Sequence, residues 1–95
     1  PVLSILRFRG DDEAVQLAND SRFGLGAYVH TRDLARAHTV AARLAAGAVS
    51  VNGMLPMAPN LPFGGFKQSG FGREGGRAGV EEFLQVKQVM IHLLI

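Results

Sequence analysis

A glycine-rich stretch late in the chain has the residue types and spacing of a phosphate-binding loop. Residues 70–75 read Gly-Phe-Gly-Arg-Glu-Gly, which matches the G-x-G-x-x-G pattern of dinucleotide-binding proteins. That pattern binds a pyrophosphate only when a strand leads into the glycine turn and a helix begins after it. The preceding residues 64–69 do not resemble a strand, and no acidic residue follows about twenty positions further on. A closely packed glycine loop is therefore the favoured interpretation.

The other residues that could do chemistry form no catalytic or metal-binding set. The three histidines are far apart and lack the spacing of metal ligands: His30, His38 and His92. No serine lies in a G-x-S-x-G nucleophile elbow, and the chain contains no cysteine. The acidic residues 11–13 are interpreted as a helix start, and residues 81–82 as the solvated face of the last helix. The sequence therefore predicts no catalytic residue and no metal site in this chain.

An irregular loop with apolar side chains is the best candidate for a binding surface. Residues 52–75 contain three prolines and six glycines without a clear period, and long loops of this kind are usually functional. Phe63 follows a proline and precedes two glycines, while Met54, Leu55 and Met57 lie just upstream. Four such side chains either belong to a core or line an apolar pocket, and composition alone favours the core.

Strands and helices alternate along the predicted framework of this loop. Alternating or short apolar runs predict four strands: residues 2–8, 25–30, 48–51 and 87–93. Helices are predicted after Asp11 and after Thr31, with Thr31 as an N-cap and Gly47 as a left-handed C-terminal glycine. A short helix near residues 77–84 is expected to turn three apolar side chains inward: Val80, Phe83 and Leu84. This order predicts an α/β fold with a mostly parallel sheet and crossover helices.

Composition and charge exclude several classes of protein. The chain has 95 residues and a net charge of +2, which suits one small domain or a piece of a larger one. Its arginines are scattered, so no nucleic-acid partner is expected. No apolar run approaches the roughly 20 residues of a membrane span, and no secretory signal is recognisable, so we expect a cytoplasmic protein. The chain begins with Pro1 rather than Met, and we expect it to be the middle of a longer sequence.

Residues 62–74 carry a resemblance to one enzyme family. They read Pro-Phe-Gly-Gly-Phe-Lys-Gln-Ser-Gly-Phe-Gly-Arg-Glu, and this run resembles the C-terminal signature of the NAD(P)-dependent aldehyde dehydrogenases. Other segments resemble the same family in the same order: residues 17–20, 24–27, 31–35, 46–53 and 83–89. The resemblance covers essentially residues 1–93.

The resemblance implies that the chain is the C-terminal segment of such an enzyme. Residues 1–86 would be part of the catalytic domain, and residues 87–95 an oligomerisation strand that extends a sheet of a partner subunit in a homo-oligomer. The nucleophilic cysteine, the general-base glutamate and the nucleotide-binding domain would lie in the remainder of the parent enzyme. The parent would oxidise a small aldehyde to an acid with NAD or NADP. This segment alone would be inactive and would not bind the cofactor.

The resemblance also gives the loop a role in binding substrate. In the family this loop forms one wall of the substrate tunnel, which implies that Phe63 lies near the nicotinamide and the reacting carbonyl. Leu55 and Met57 become candidates for tunnel lining, since a flexible methionine adapts to varied apolar substrates. Arg73 and Glu74 are expected to hold the loop and an interface. Two alternatives stay open: a stand-alone, non-catalytic oligomerisation or interaction module, and a small nucleotide-binding module built on residues 70–75.

Overall fold

Helices and short strands alternate along the chain, in agreement with the predicted α/β class. The computed structural model describes residues 1–94. Its elements in chain order are α1 (Gly10–Asn19), β1 (Phe23–Gly24), β2 (Gly26–Val29), α2 (Leu34–Arg43), β3 (Ala48–Val51), β4 (Phe66–Lys67) and α3 (Gly76–Glu81).

The centre of the structure is a parallel strand–helix–strand unit. Strands β2 and β3 pair in parallel from Gly26 opposite Ala48 to Val29 opposite Val51. Helix α2 connects them and packs against both strands and against α1. The predicted strands at residues 25–30 and 48–51 are therefore confirmed.

The expectation of a mostly parallel sheet through all predicted strands is wrong for this chain. Strands β1 and β4 form a separate antiparallel pair, and the sheets described by residues 1–94 have two strands each. The predicted strands at residues 2–8 and 87–93 pair with nothing within the described residues, because an alternating sequence becomes a strand only where a neighbouring strand supplies backbone partners. Ile95, the last residue of the predicted oligomerisation strand, lies outside the described residues.

Ion pairs hold α1 against α2. The first turn of α1 carries three acidic residues, whose charge suits the positive end of the helix dipole. Two of them contact arginines of α2: Asp11 lies 3.0 Å from Arg36, and Asp12 lies 2.8 Å from Arg43. Residues 11–13 thus lie in the first turn of α1, but the helix begins at Gly10 and its N-cap is Arg9, so the predicted start after Asp11 is too late.

The predicted caps of α2 are both wrong. The N-cap is Asp33, whose carboxylate accepts a 3.0 Å hydrogen bond from the Arg36 amide. The hydroxyl of Thr31 accepts instead from the amide of Asp33, before the helix begins. The helix ends at Arg43 with an extended C-cap, several residues before Gly47. A Cβ on Gly47 would collide with the Gly64 carbonyl, so a close approach to the loop, rather than a helix cap, requires glycine there.

The last helix is shorter and more exposed than its sequence predicts. It spans Gly76–Glu81, and the three side chains expected to point inward, Val80, Phe83 and Leu84, are all exposed. Their apolar spacing indicates a face that needs a partner, and residues 1–94 do not supply one.

The chain has an extended shape and a very small core. Only Val15 and Ala37, at 6% and 5% exposure, are buried hydrophobic residues among those described. The accessible surface is 8528 Å², whereas a compact protein of this mass exposes about 5,300 Å². The radius of gyration is 19.0 Å, against about 12 Å for a compact chain of this length. No helix among residues 1–94 is both long and apolar enough to cross a membrane.

Candidate functional site

The long loop is folded back on itself rather than structureless. The backbones of Phe63 and Glu74 form an antiparallel bridge, and each amide donates a 2.8 Å hydrogen bond to the other residue's carbonyl. Strand β4 lies between them and pairs with β1. The prediction of a loop without structure over residues 52–75 is therefore wrong, because two backbone pairings divide that loop into fixed parts.

The three predicted site residues line one groove. An open groove of about 630 Å³ lies between the loop and β3, and Leu55, Met57 and Phe63 all line it. The rest of its lining comes from the start of β3 and the residue before it, the proline-rich part of the loop, and the bridge residue with its neighbour: Gly47, Ala48, Val49, Pro56, Ala58, Pro59, Leu61, Pro62, Glu74 and Gly75. The groove is mostly apolar, and its one charged lining residue is Glu74.

The apolar side chains of this groove differ in how firmly they are held. Phe63 and Leu55 are half-buried, and a Cβ on Gly26 would lie 3.2 Å from a methyl carbon of Leu55. Met57 is 75% exposed. Met54, the fourth apolar residue of the loop, is exposed and does not line the groove. The groove thus has two fixed apolar residues and one adaptable one.

Sequence reasoning missed part of the groove. Leu61 and Pro59 line it beside the predicted residues. Both lie within the proline-rich run 56–62, so treating that run as one surface would have included them. Val49 comes from β3, and only the tertiary fold brings it to the groove.

Arg73 ties the glycine-rich part of the loop together. Its guanidinium donates to the carbonyls of Gly65 at 3.0 Å and Gly72 at 2.6 Å. The same group lies 5.6 Å from the ring centre of Phe66, within the range of a cation–π contact. The Arg73 amide donates to the carboxylate of Glu82 at 3.2 Å. The predicted role of Arg73 in holding the loop is confirmed by these contacts.

A second polar cluster, which the sequence analysis missed, joins β4 to α1. Lys67 has a left-handed backbone, with φ of 53°, and its ammonium donates to the carbonyls of Asn19 at 2.9 Å and Ser21 at 3.0 Å. The Asn19 side chain in turn donates to the Arg43 carbonyl and accepts from the Ala45 amide, both at 2.8 Å. One lysine and one asparagine thus connect the ends of both long helices with the loop.

The loop leaves the parallel sheet at an asparagine with an unusual backbone. Asn52 has φ of 56°, and its side-chain amide makes two hydrogen bonds to Thr31, donating to the carbonyl at 2.8 Å and accepting from the amide at 2.9 Å. Its own amide donates to the Val29 carbonyl at 2.8 Å. The side chain therefore continues the pairing of β2 and β3 by one step after the backbone has turned away.

Residues 70–75 do not fit a dinucleotide pyrophosphate. Several amides of this stretch and of the residue after it are already bonded within the chain: Arg73 to Glu82, Glu74 to Phe63 and Gly76 to Pro59. The Glu82 carboxylate also lies against this loop, where its charge opposes an anion. The nucleotide-binding alternative is therefore disfavoured. Among residues 1–94 there is also no group of side chains that could hold a metal ion.

The described residues form an α/β chain in which a glycine-rich loop borders an open, mostly apolar groove, without a set of catalytic side chains. The aldehyde dehydrogenase family model matches residues 1–89. The chain belongs to the aldehyde dehydrogenase family, which is a family of NAD(P)-dependent oxidoreductases.

Curated relatives agree with this assignment over nearly the whole chain. The chain is 50% identical over 93 residues to 4-trimethylaminobutyraldehyde dehydrogenase of Rattus norvegicus, which covers 98% of this chain and 19% of the relative. The same figures hold for the NADP/NAD-dependent aldehyde dehydrogenase PuuC of Escherichia coli strain K12. The chain therefore spans only 19% of the length of these relatives.

Solved structures show the same fold. Indole-3-acetaldehyde dehydrogenase in its apo form is 43% identical with a TM-score of 0.91, and the match covers 97% of this chain and 22% of that one. Betaine aldehyde dehydrogenase of Staphylococcus aureus, in complex with NAD⁺, is 46% identical with a TM-score of 0.77, and the match covers 80% of this chain and 15% of that one.

Proposed function

We propose that this chain is a C-terminal segment of an aldehyde dehydrogenase and supplies one wall of its substrate tunnel. The parent enzyme would oxidise an aldehyde to a carboxylic acid with NAD or NADP. In that reaction a cysteine thiolate outside this chain attacks the aldehyde, hydride passes to the cofactor, and water releases the acid. The chain contributes no cysteine of its own.

The observation that carries this proposal is the common groove of Phe63, Leu55 and Met57. These three side chains line one open groove with a volume of about 630 Å³, which is the volume of a small-molecule site. Its lining is apolar beside a fixed aromatic ring, which favours aldehydes with an apolar chain. Since the groove is open, the opposite wall of the tunnel would come from the rest of the parent enzyme.

The cofactor would be held mainly outside this chain. Residues 70–75 bind their own loop instead of a pyrophosphate. The part of the chain proposed to approach the nicotinamide is Phe63, whose ring would exclude water from the reacting groups. Its backbone bridge to Glu74 fixes the point from which that ring projects.

The large accessible surface supports the view that the chain works inside a bigger protein. The 8528 Å² surface exceeds the value for a compact protein of this mass by roughly 3,200 Å². Much of the exposed surface is apolar and includes α3 and the two end segments. An apolar surface of this size requires cover by other protein. We propose that the parent enzyme covers most of it and that a second subunit covers the segment beginning at Lys87.

The experiment uses the natural gene product that carries this chain, whose denatured mass we expect to be several times 10.2 kDa. Steady-state aldehyde oxidation is followed by NAD(P)H absorbance in the wild type, in Phe63→Ala and in Phe71→Ala. Phe63→Ala removes a ring from the groove, so kcat/KM should fall by roughly tenfold or more.

Phe71 is the matched control because it is a phenylalanine of the same loop that is fully exposed and does not line the groove. Phe71→Ala should leave kcat/KM within about twofold of the wild type, because its ring lies outside the groove. Equal effects of the two substitutions, or none from Phe63→Ala, would contradict the tunnel-wall role. A natural product of 10.2 kDa would contradict the segment proposal and favour a binding or assembly module.

A further inference from the structure

The carboxylate of Glu82 touches the glycine-rich loop. One of its oxygens accepts the 3.2 Å hydrogen bond from the Arg73 amide. The other lies so near that a Cβ on Gly72 would be 3.1 Å from it. Residues 81–82 were expected to form a solvated face, and both are exposed. Glu81 pairs with Arg77 at 2.7 Å on the surface of α3, whereas Glu82 also bonds to the loop.

The peptide between Gly72 and Arg73 is therefore held on both sides. Its amide hydrogen is bound by Glu82, and its carbonyl oxygen is bound by the Arg73 guanidinium. Gly72 has φ of 73°, a left-handed conformation that glycine adopts without a steric penalty. Two charged groups of opposite sign thus fix one peptide plane.

The position of this peptide sets the position of Phe63. The next residue along the chain is Glu74, whose amide and carbonyl both bond to Phe63 in the bridge. A shift of the 72–73 peptide would move Glu74 and, through two 2.8 Å hydrogen bonds, the backbone that carries the Phe63 ring. Glu82 is therefore linked to the groove through two short pieces of backbone, the 72–73 peptide and the bridge between Glu74 and Phe63.

We propose that Glu82 is a positioning residue that fixes Phe63 in the substrate groove through the 72–73 peptide and the bridge to Glu74. This inference rests on the proposed tunnel-wall function. Glu82 does not line the groove itself; it lines a neighbouring hollow that shares Phe63 and Glu74 with the groove. Its effect on substrate is therefore indirect and depends on the presence of the Phe63 ring.

The test compares three substitutions in the full-length natural protein. Glu82→Ala removes the acceptor, Glu82→Gln keeps an oxygen that can accept from the Arg73 amide, and Glu81→Ala is the matched control on the same helix. We expect Glu82→Ala to raise KM for the aldehyde by about threefold to tenfold, with a smaller change in kcat. Glu82→Gln and Glu81→Ala should stay within about twofold of the wild type.

A double-substitution cycle separates positioning from general destabilisation. If Glu82 acts through the Phe63 ring, Glu82→Ala should add nothing to KM once Phe63→Ala is present. Independent, multiplying effects of the two substitutions would overturn the proposal. A change in KM from Glu82→Gln as large as that from Glu82→Ala would overturn it as well.

Hydrogen exchange of the loop gives a readout that needs no activity. Glu82→Ala should speed exchange in peptides covering residues 63–74 by about threefold to tenfold, while Glu81→Ala leaves them unchanged. Unchanged exchange after Glu82→Ala overturns the proposal whatever the kinetics. If the wild-type protein oxidises no aldehyde, the proposed function fails, and the exchange result alone decides whether Glu82 fixes Phe63.

Discussion

Replacing Lys67 with alanine should loosen the end of α1 and the turn after it. The ammonium of Lys67 donates to the carbonyls of Asn19 and Ser21, where α1 ends and the chain turns toward β1. Alanine leaves both carbonyls without this donor and removes a positive charge from the negative end of the helix dipole. The substitution does not alter backbone strain, because lysine and alanine both carry a Cβ at the left-handed φ of 53°.

The size of the effect can be worked out from these contacts. Lys67 is exposed, so each hydrogen bond contributes near the lower end of the usual range, about 0.5 kcal/mol. The helix-end charge contributes a further amount of about 0.5 kcal/mol. The local opening free energy should therefore fall by about 1.5 kcal/mol, which corresponds to roughly tenfold faster amide exchange.

Hydrogen exchange of the full-length protein is the appropriate assay. The amides of Asp20 and Ser21 report on the end of α1, and that of Gln68 reports on the turn after β4, since all three are bonded within this cluster. The control is Lys87→Ala, because Lys87 is the other lysine of the chain and makes no hydrogen bond within the described residues. It should leave exchange at these amides unchanged.

Two results would refute this reasoning. Exchange after Lys67→Ala equal to that of the Lys87→Ala control would mean that the two hydrogen bonds contribute nothing. A Lys67→Gly protein no more protected than Lys67→Ala would mean that the left-handed backbone stores no strain, since glycine should recover about 1 kcal/mol there.

Two further predictions concern the groove and the end of the chain. Gly26→Ala places a methyl group 3.2 Å from Leu55 and should push that side chain into the groove; KM for a long-chain aldehyde should rise more than KM for a short one, and an equal change for both would refute this. Removal of the segment from Lys87 onward exposes the edge that we propose for a second subunit; light scattering should show the assembly dissociating, and an unchanged mass would exclude this segment from the interface.

The sequence predicts best where short-range chemistry decides the structure. Helix α1 begins at its acidic run and β3 at its apolar run, because charge near a helix start and apolar β-branched residues act locally. The gathering of Leu55, Met57 and Phe63 on one surface agrees with the resemblance, and their contact with substrate stays a prediction.

The sequence predicts poorly where a distant residue decides the structure. Gly47 has the position of a helix-ending glycine, yet its role depends on the Gly64 carbonyl, which no local pattern reveals. Glu82 lies on the predicted solvated face of the last helix, yet its carboxylate also accepts a hydrogen bond from the Arg73 amide, nine residues earlier in the chain. The apolar segments at residues 2–8 and 87–93 have strand patterns but no strand neighbour within the described residues.

The side chain of Asn52 marks the boundary between the parallel sheet and the loop that lines the groove. Its two hydrogen bonds to Thr31 close the β2–β3 pair at the point where the loop begins. Apart from Leu55, which lies close to Gly26 of β2, residues 54–61 can therefore change in bulk and polarity without altering these hydrogen bonds. Under the proposed tunnel-wall role, a library randomised over these positions with Leu55 kept would explore substrate preference on an intact scaffold.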